Sequence, residues 1–190
     1  MLKRRLTAAV LAMISLVAAS QAAEVPRKAK EVTVYLTDGS KVMLSQYKGK
    51  VVAVIFILTG CSHCQMTTGF LIKAQQDYGP RGFQVLAAAI EQDSAAKVPG
   101  FIKQFGPQFP VGTTDALAAL DWMQHPVSQI PHMPLLAFVD RQGNIRAQFE
   151  GDNEQFFNDQ QEQNLRTQIE MLLKEGAPKA RPTASTAPKK

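Results

Sequence analysis

The sequence predicts a three-layer α/β domain that begins with a β-hairpin. The first observation behind this prediction is the run VVAVIFIL at residues 51–58, because consecutive apolar residues are typical of a strand covered on both faces. The second is that strand-like and helix-like patterns alternate along the chain. The third is a strand-turn-strand pattern at residues 134–151, which is followed by a helical pattern.

The first half of the chain reads as a hairpin, a buried strand and a helix. Residues 31–36, EVTVYL, and residues 41–47, KVMLSQY, alternate apolar with polar side chains around a Thr-Asp-Gly-Ser turn, which predicts the hairpin. The buried strand follows at residues 51–58, and a helical pattern then runs until Gly79-Pro80. Its apolar positions are Phe70, Leu71, Ala74 and Tyr78. The only two cysteines of the chain lie where this strand turns into the helix.

The next part of the chain predicts one more buried strand and two helices. Residues 83–90, FQVLAAAI, form the second apolar run. Residues 94–105 show a weak helical pattern that Pro99-Gly100 interrupts. The stretch TTDALAALDWM predicts a helix with Thr114 as its N-cap.

The domain is predicted to close with a β-hairpin and a last helix. PLLAFVD, RQGN and IRAQFEG read as strand, turn and strand. Asp152 or Asn153 is expected to cap the helix, which ends before Gly176. Its expected buried face consists of Phe156, Phe157, Leu165, Ile169, Leu172 and Leu173.

The two ends of the chain differ in composition from its middle. Residues 1–22 combine basic residues, a short apolar stretch and small residues, which predicts a cleaved secretory signal peptide. Residues 23–30 read as a polar leader, residues 31–176 as the folded domain and residues 177–190 as a disordered basic tail. We therefore expect a periplasmic or otherwise exported protein.

The net charge of +5 belongs to the ends of the chain. Seven of the 21 Lys and Arg residues lie in the signal and the tail, so 14 remain against 16 Asp and Glu in between. Because nucleic-acid binding needs a basic face on the folded domain, this balance argues against it.

The cysteine pair, Cys61 and Cys64, predicts thiol chemistry. Two intervening residues at a helix start place Cys61 near unpaired backbone N–H groups and the positive end of the helix dipole, while Cys64 lies one turn inward. Cys61 is therefore expected to be the more acidic thiol that attacks, and Cys64 the thiol that resolves the mixed disulfide. Between them, Ser62 and His63 are expected to tune the potential, since protonated His63 stabilises a thiolate.

Other uses of the two cysteines stay open at this point. A zinc site needs four ligands, and His125 and His132 lack the usual histidine spacing. A purely structural disulfide closes too small a loop to stabilise the fold much. Peroxide reduction by Cys61 is a further alternative.

The residues resemble the thioredoxin superfamily, and most of all its exported TlpA-type branch. The resemblance rests on LSQYKGKVVAVIFILTGCSHC, on the second apolar strand and on IPHMPLLAFVDRQGNIRAQFEG. It implies a central mixed sheet flanked by helices, and an inserted helix and strand before Pro134. It also implies that the Met133–Pro134 peptide bond is cis, that Pro134 packs against the cysteines and that the Met133 backbone pairs with the substrate chain.

Several positions depart from the pattern of that superfamily. Gly60 replaces the tryptophan that usually precedes the first cysteine, and the single tryptophan is Trp122. Ile55 and Thr67 stand where thioredoxins and TlpA-type proteins often carry acids, so no carboxylate is evident as a proton shuttle for the second cysteine. The Ser-His dipeptide between the cysteines resembles that of oxidising DsbA-class members instead.

The histidines suggest a second hypothesis. His125 is interpreted as an ordinary surface residue. If Pro134 is cis, His132 and Met133 approach Cys61 and Cys64, and a cluster of thiols, imidazole and thioether suits Cu(I). Sco-type copper chaperones share the fold and use two cysteines with a distant histidine, although three residues separate those cysteines.

Together these patterns predict an exported thiol–disulfide oxidoreductase that uses Cys61 and Cys64, with no cofactor besides that pair. The expected partners are protein thiols or disulfides and an upstream, membrane-bound redox protein. The direction of electron flow stays open. The alternative is a Sco-like copper metallochaperone that binds the metal through Cys61, Cys64 and His132.

Overall fold

The computed structural model describes residues 23–175, so the predicted signal peptide, residue 176 and the predicted basic tail lie outside it. Eight strands and four α-helices follow one another in the described part. The strands are β1 (Arg27–Lys28), β2 (Thr33–Tyr35), β3 (Lys41–Met43), β4 (Val51–Ile57), β5 (Phe83–Ala89), β6 (Val111–Thr113), β7 (Leu135–Val139) and β8 (Asn144–Glu150). The helices are α1 (Ser62–Tyr78), α2 (Ser94–Phe105), α3 (Ala116–Met123) and α4 (Gln161–Glu175), with short 3-10 helices at Leu44–Tyr47 and Gly79–Arg81.

All eight strands form one mixed sheet in the order β1-β8-β7-β4-β5-β6-β2-β3. Strand β4 runs parallel to β5 and antiparallel to β7, and all seven of its residues are buried. Its uniform burial follows from the apolar run, because a central strand that is covered on both faces needs apolar side chains in both directions. The predicted central strand and the N-terminal hairpin, β2 with β3, are confirmed.

The core has two halves, one on each face of the sheet. Alternate β4 residues beginning with Val51 pack with α1, α2 and α4, while those beginning with Val52 pack with α3 and with the segment around β2. The predicted three-layer α/β fold, with a central mixed sheet flanked by helices, is therefore confirmed. No helix within residues 23–175 is long and apolar enough to cross a membrane.

Helix α2 continues through Pro99, although the sequence predicted an interruption there. Proline at this position removes the hydrogen bond to the carbonyl group of Ala95. Both Ala95 and Pro99 are exposed, so water can solvate the free carbonyl group.

Helix α3 and helix α4 begin at residues other than those predicted. Asp115, not Thr114, is the N-cap of α3: its carboxylate accepts the N–H of Ala118 at 2.8 Å. The Thr114 N–H instead bonds to Ala89 O and extends the pairing of the sheet. Asn153 caps only a local turn, because its side chain accepts the N–H of Phe156, and α4 begins later, at Gln161. The segment interpreted as a polar leader contains β1, which pairs with β8.

Candidate active site

Cys61 lies at the point where the chain leaves β4 and enters α1. Its N–H bonds to Leu58 O at 3.1 Å, which closes the turn after the strand. Its sulfur is the N-cap of α1 and accepts the N–H of Cys64 at 3.3 Å. Both cysteines are free thiols. The predicted placement, with the first sulfur at the helix start and the second one turn inward, is thus present.

The two sulfurs differ in their access to solvent. Cys61 is partly exposed, whereas Cys64 has no exposed surface. Burial raises the pKa of the Cys64 thiol, and the hydrogen bond with Cys61 and the charges of Cys61 and Glu91 raise that pKa further. A substrate can therefore reach Cys61 first, while Cys64 stays protonated inside the protein.

The loop before β7 faces the cysteine pair. The Met133–Pro134 peptide bond is cis, in agreement with the resemblance. The Cys61 thiol donates to the carbonyl oxygen of Met133 over 4.0 Å. Gly151, just after β8, holds this loop next to the end of β8, since its N–H bonds to His132 O at 2.7 Å. The Met133 backbone thus borders the reactive sulfur, in a position to contact a substrate chain.

The three histidines lie in different environments. His63, like Ser62, is exposed on the first turn of α1. The His132 side chain is 63% exposed, with Nε2 3.9 Å from an Asp152 oxygen. Within residues 23–175 no three His, Cys, Asp or Glu side chains come together as metal ligands, so the structure does not join His132 to the cysteines in such a group. Copper binding stays a hypothesis.

His125 is buried, which corrects its interpretation as a surface residue. Its Nδ1 lies 2.9 Å from Glu150 Oε1, and its Nε2 lies 3.2 Å from Gln129 O. Burial of the ring lowers the pKa of His125, but the hydrogen bonds with Glu150 and Gln129 outweigh it, and the net pKa is raised. This ion pair connects the loop after α3 to the end of β8.

The positions that depart from the superfamily pattern have structural roles of their own. Trp122 packs edge-to-face on Phe56, with 5.7 Å between ring centroids, in the half of the core that does not contain the cysteines. The hydroxyl of Thr67 is buried, donates to His63 O at 2.8 Å and accepts the side-chain amide of Gln161 at 2.7 Å. Where an acid was expected, this network ties the start of α4 to the first turn of α1.

Glu91 is a carboxylate of this site that the sequence reasoning missed. It lies after β5, and its Oε1 accepts both the N–H of Thr59, at 2.8 Å, and the hydroxyl of Thr59. Its Oε2 is buried without a hydrogen-bond partner in the described structure. The strand register could have revealed it: parallel β4 and β5 pair Ile57 with Ala89, so Thr59 and Glu91 each follow their strand by two residues at the same edge.

Comparison with known proteins agrees with this geometry. The family model for Redoxin matches residues 24–169, most of the chain. The chain belongs to the Redoxin family. It is also similar to the thiol-disulfide oxidoreductase ResA of Bacillus thuringiensis subsp. konkukian, with 24% identity over 129 residues, 68% of this chain and 71% of that protein. The ResA of Bacillus anthracis is 24% identical over 131 residues and is covered to the same extent.

Solved structures show the same fold. A putative thiol:disulfide interchange protein DsbE from Chlorobium tepidum superposes with a TM-score of 0.67 at 22% identity, covering 80% of this chain and 99% of that one. A secreted disulfide oxidoreductase of Mycobacterium tuberculosis gives 0.59 at 13% identity, covering 74% of this chain and 96% of that one. With the family assignment, these similarities confirm a TlpA-type member of the thioredoxin superfamily.

Proposed function

We propose that this protein is an exported thiol–disulfide oxidoreductase that acts on the cysteines of other proteins. The observation that carries the proposal is the pairing of a partly exposed Cys61 at the N-cap of α1 with a fully buried Cys64 beside a cis-proline loop. Two relatives named thiol-disulfide oxidoreductase ResA support the activity. The similar disulfide oxidoreductase of Mycobacterium tuberculosis is a secreted protein, which supports an extracytoplasmic location for this chain.

The reaction follows from the difference in access between the two sulfurs. In the reducing direction, the Cys61 thiolate attacks a substrate disulfide, one substrate sulfur leaves as a thiolate, and a mixed disulfide forms. Cys64 then loses its proton and attacks Cys61 Sγ. The bond between Cys61 and the substrate breaks, the substrate leaves with two electrons as a second thiolate, and the protein retains the Cys61–Cys64 disulfide.

The cis-proline loop supplies the contact with the substrate chain. The carbonyl oxygen of Met133 borders Cys61 Sγ, and the backbone of this loop is free to pair with an extended peptide next to its scissile disulfide. An upstream redox protein, membrane-bound in our proposal, recycles the pair by the same exchange in reverse.

A trapping experiment tests the function. Cys64→Ser should accumulate a mixed disulfide between Cys61 and a peptide that contains a disulfide, because the resolving sulfur is gone. Cys61→Ser, the matched control, should form no adduct, because its remaining cysteine is buried. Mass spectrometry of the adducts measures both. Failure of Cys64→Ser to trap any peptide disulfide or thiol-activated peptide would exclude the proposed activity.

The reduction potential assigns the direction of electron flow. Equilibration with glutathione should give about −120 mV for a strong oxidant of the DsbA kind, or about −270 mV for a reductant of the thioredoxin kind.

The copper alternative is tested by anaerobic Cu(I) titration of the wild type and His132→Ala. Binding that outcompetes glutathione and is lost in the variant would support a metallochaperone.

A further inference from the structure

We propose that the Glu91 carboxylate takes the Cys64 proton, across one water molecule, when Cys64 attacks the mixed disulfide. This assignment deepens the proposed function and rests on it. It places the proton acceptor at the end of β5 and not on α1, where TlpA-type proteins often carry an acid.

The first argument is the position of Glu91. Its Oε1 is held by the N–H and hydroxyl of Thr59, and Thr59 lies two residues before Cys61 in the turn that presents the sulfur. The N–H of Ile90 bonds to Ile57 O at 3.0 Å, which fixes the two strand ends side by side. The carboxylate is therefore held by both the strand and the turn at the edge of the sheet where the cysteines lie.

The second argument is the other carboxylate oxygen. Glu91 Oε2 is buried and has no hydrogen-bond partner among the described residues. A buried acceptor without a partner is costly, and a catalytic role with a bridging water molecule is one way to account for it. This oxygen has unused lone pairs and belongs to a carboxylate at the edge of the sheet where the cysteines lie, so it is able to accept a proton.

The third argument is the need for a base. The Cys64 thiol is buried, and its environment raises its pKa, so it does not ionise by itself near neutral pH. Thr67, at the position where TlpA-type proteins often carry an acid, offers only a hydroxyl that already donates to His63 O. The negative charge of Glu91 contributes, after burial and Cys61, to raising the pKa of Cys64.

The proposed step balances in both directions. During resolution the Cys64 S–H bond breaks and its proton passes to Glu91. The new thiolate attacks Cys61 Sγ, and the substrate leaves as a thiolate with the electron pair of the broken S–S bond. In the oxidising direction, protonated Glu91 returns the proton to the Cys64 thiolate as a substrate thiolate attacks Cys61 Sγ.

The test separates attack from resolution with one equivalent of the aryl disulfide DTNB. Cys61 attack releases the first thionitrobenzoate, and Cys64 attack on the adduct releases the second, so stopped-flow absorbance gives two phases. In Glu91→Gln the first phase should stay within about twofold of the wild type, while the second should slow about a hundredfold near pH 7, as loss of a general base does. Asp93→Asn, which removes a nearby exposed charge, should leave both phases unchanged.

The pH profile distinguishes proton transfer from a structural role. The rate of the second phase of the wild type should rise with pH to a plateau, whereas in Glu91→Gln it should increase in proportion to hydroxide over the whole range. Glu91→Asp should be slower than the wild type but retain the plateau. If circular dichroism shows that Glu91→Gln is unfolded, Glu91→Asp and the pH profile of the wild type still test the proposal.

Three results would overturn the proposal for Glu91: a wild-type second phase proportional to hydroxide, an unchanged second phase in folded Glu91→Gln, or equal slowing in Asp93→Asn. Absence of the first phase in the wild type would instead overturn the proposed function, so the two failures are distinguishable.

Discussion

Gly151→Ala should damage the active site from outside it. A Cβ built on Gly151 lies 2.5 Å from the carbonyl carbon of Met133 and 3.1 Å from the carbonyl oxygen of His132. Real Cβ atoms essentially never come within 3.0 Å of such atoms, and the carbonyl oxygen of Met133 lies closer still, so the Met133 peptide unit must move by about 0.8 Å. The Met133 carbonyl also borders Cys61 Sγ, and the displacement therefore alters the backbone that a substrate chain would contact next to the reactive sulfur.

The expected loss in the free energy of unfolding is that of a site into which an extra methyl group is forced. A methyl group forced against backbone atoms typically destabilises a protein by about 1–3 kcal/mol. We expect this loss in urea unfolding, together with a roughly tenfold slower reaction with a peptide disulfide, since misplacing a positioning group by a fraction of an ångström is costly in rate. Reaction with DTNB, which needs no backbone pairing, should change little.

Gly100→Ala is the matched control for this prediction. Gly100 lies in the exposed interior of α2, and a Cβ there meets nothing within 4 Å. Alanine should stabilise the helix by about 0.5–1 kcal/mol and leave both reactions unchanged. Equal stability and equal peptide rates for the two variants would refute the reasoning that Gly151 holds the cis-proline loop in register.

Three further predictions concern burial and charge. Native-state alkylation should modify Cys61 and spare Cys64, as peptide mass mapping can show, because only the former has exposed surface. His125 has a raised pKa in the folded state, so its contribution to stability is complete below the unfolded pKa of about 6.5 and is lost as pH rises through the folded pKa. The free energy of unfolding in urea should depend less on pH across that window in His125→Gln than in the wild type. It should keep the pH dependence of the wild type in His132→Gln, where the replaced histidine is exposed. Asp140→Asn should cost about 1–3 kcal/mol in the same assay, because its amide NH2 would replace Oδ2, which accepts the side-chain N–H groups of Asn144 and Arg146.

The central strands of the sheet could be predicted from the sequence because their burial requires runs of apolar residues. Residues 51–58 are apolar throughout and residues 83–90 are apolar except for Gln84, which is the pattern of central parallel strands. The start of α4 could not be predicted as well. Asn153 is a good helix cap by type, but its side chain caps a turn, and Asn158 accepts the N–H of Gln160 just before the helix. Residue type alone does not distinguish among several capping residues in one segment.

The active site likewise has features that could be predicted from the sequence and features that could not. The cysteine pair and the cis-proline loop could be predicted because a local motif and a resemblance mark them. The burial of His125 could not, since it depends on Glu150, a partner 25 residues away that only the folded sheet brings near. A side chain whose environment is set by long-range contacts carries no local signal of its own.

Glu91 shows why an acid near the second cysteine need not lie on the same helix. On the helix that carries the cysteines, Thr67 already bonds to the backbone and to Gln161. A parallel sheet offers a second route, because the carboxyl ends of adjacent strands meet at one edge and residues at equal distance beyond a paired position face one another. The residue that faces Thr59 across β4 and β5 is Glu91. In this fold a carboxylate can therefore serve the second cysteine from β5 while the usual position on the helix is occupied by a structural threonine.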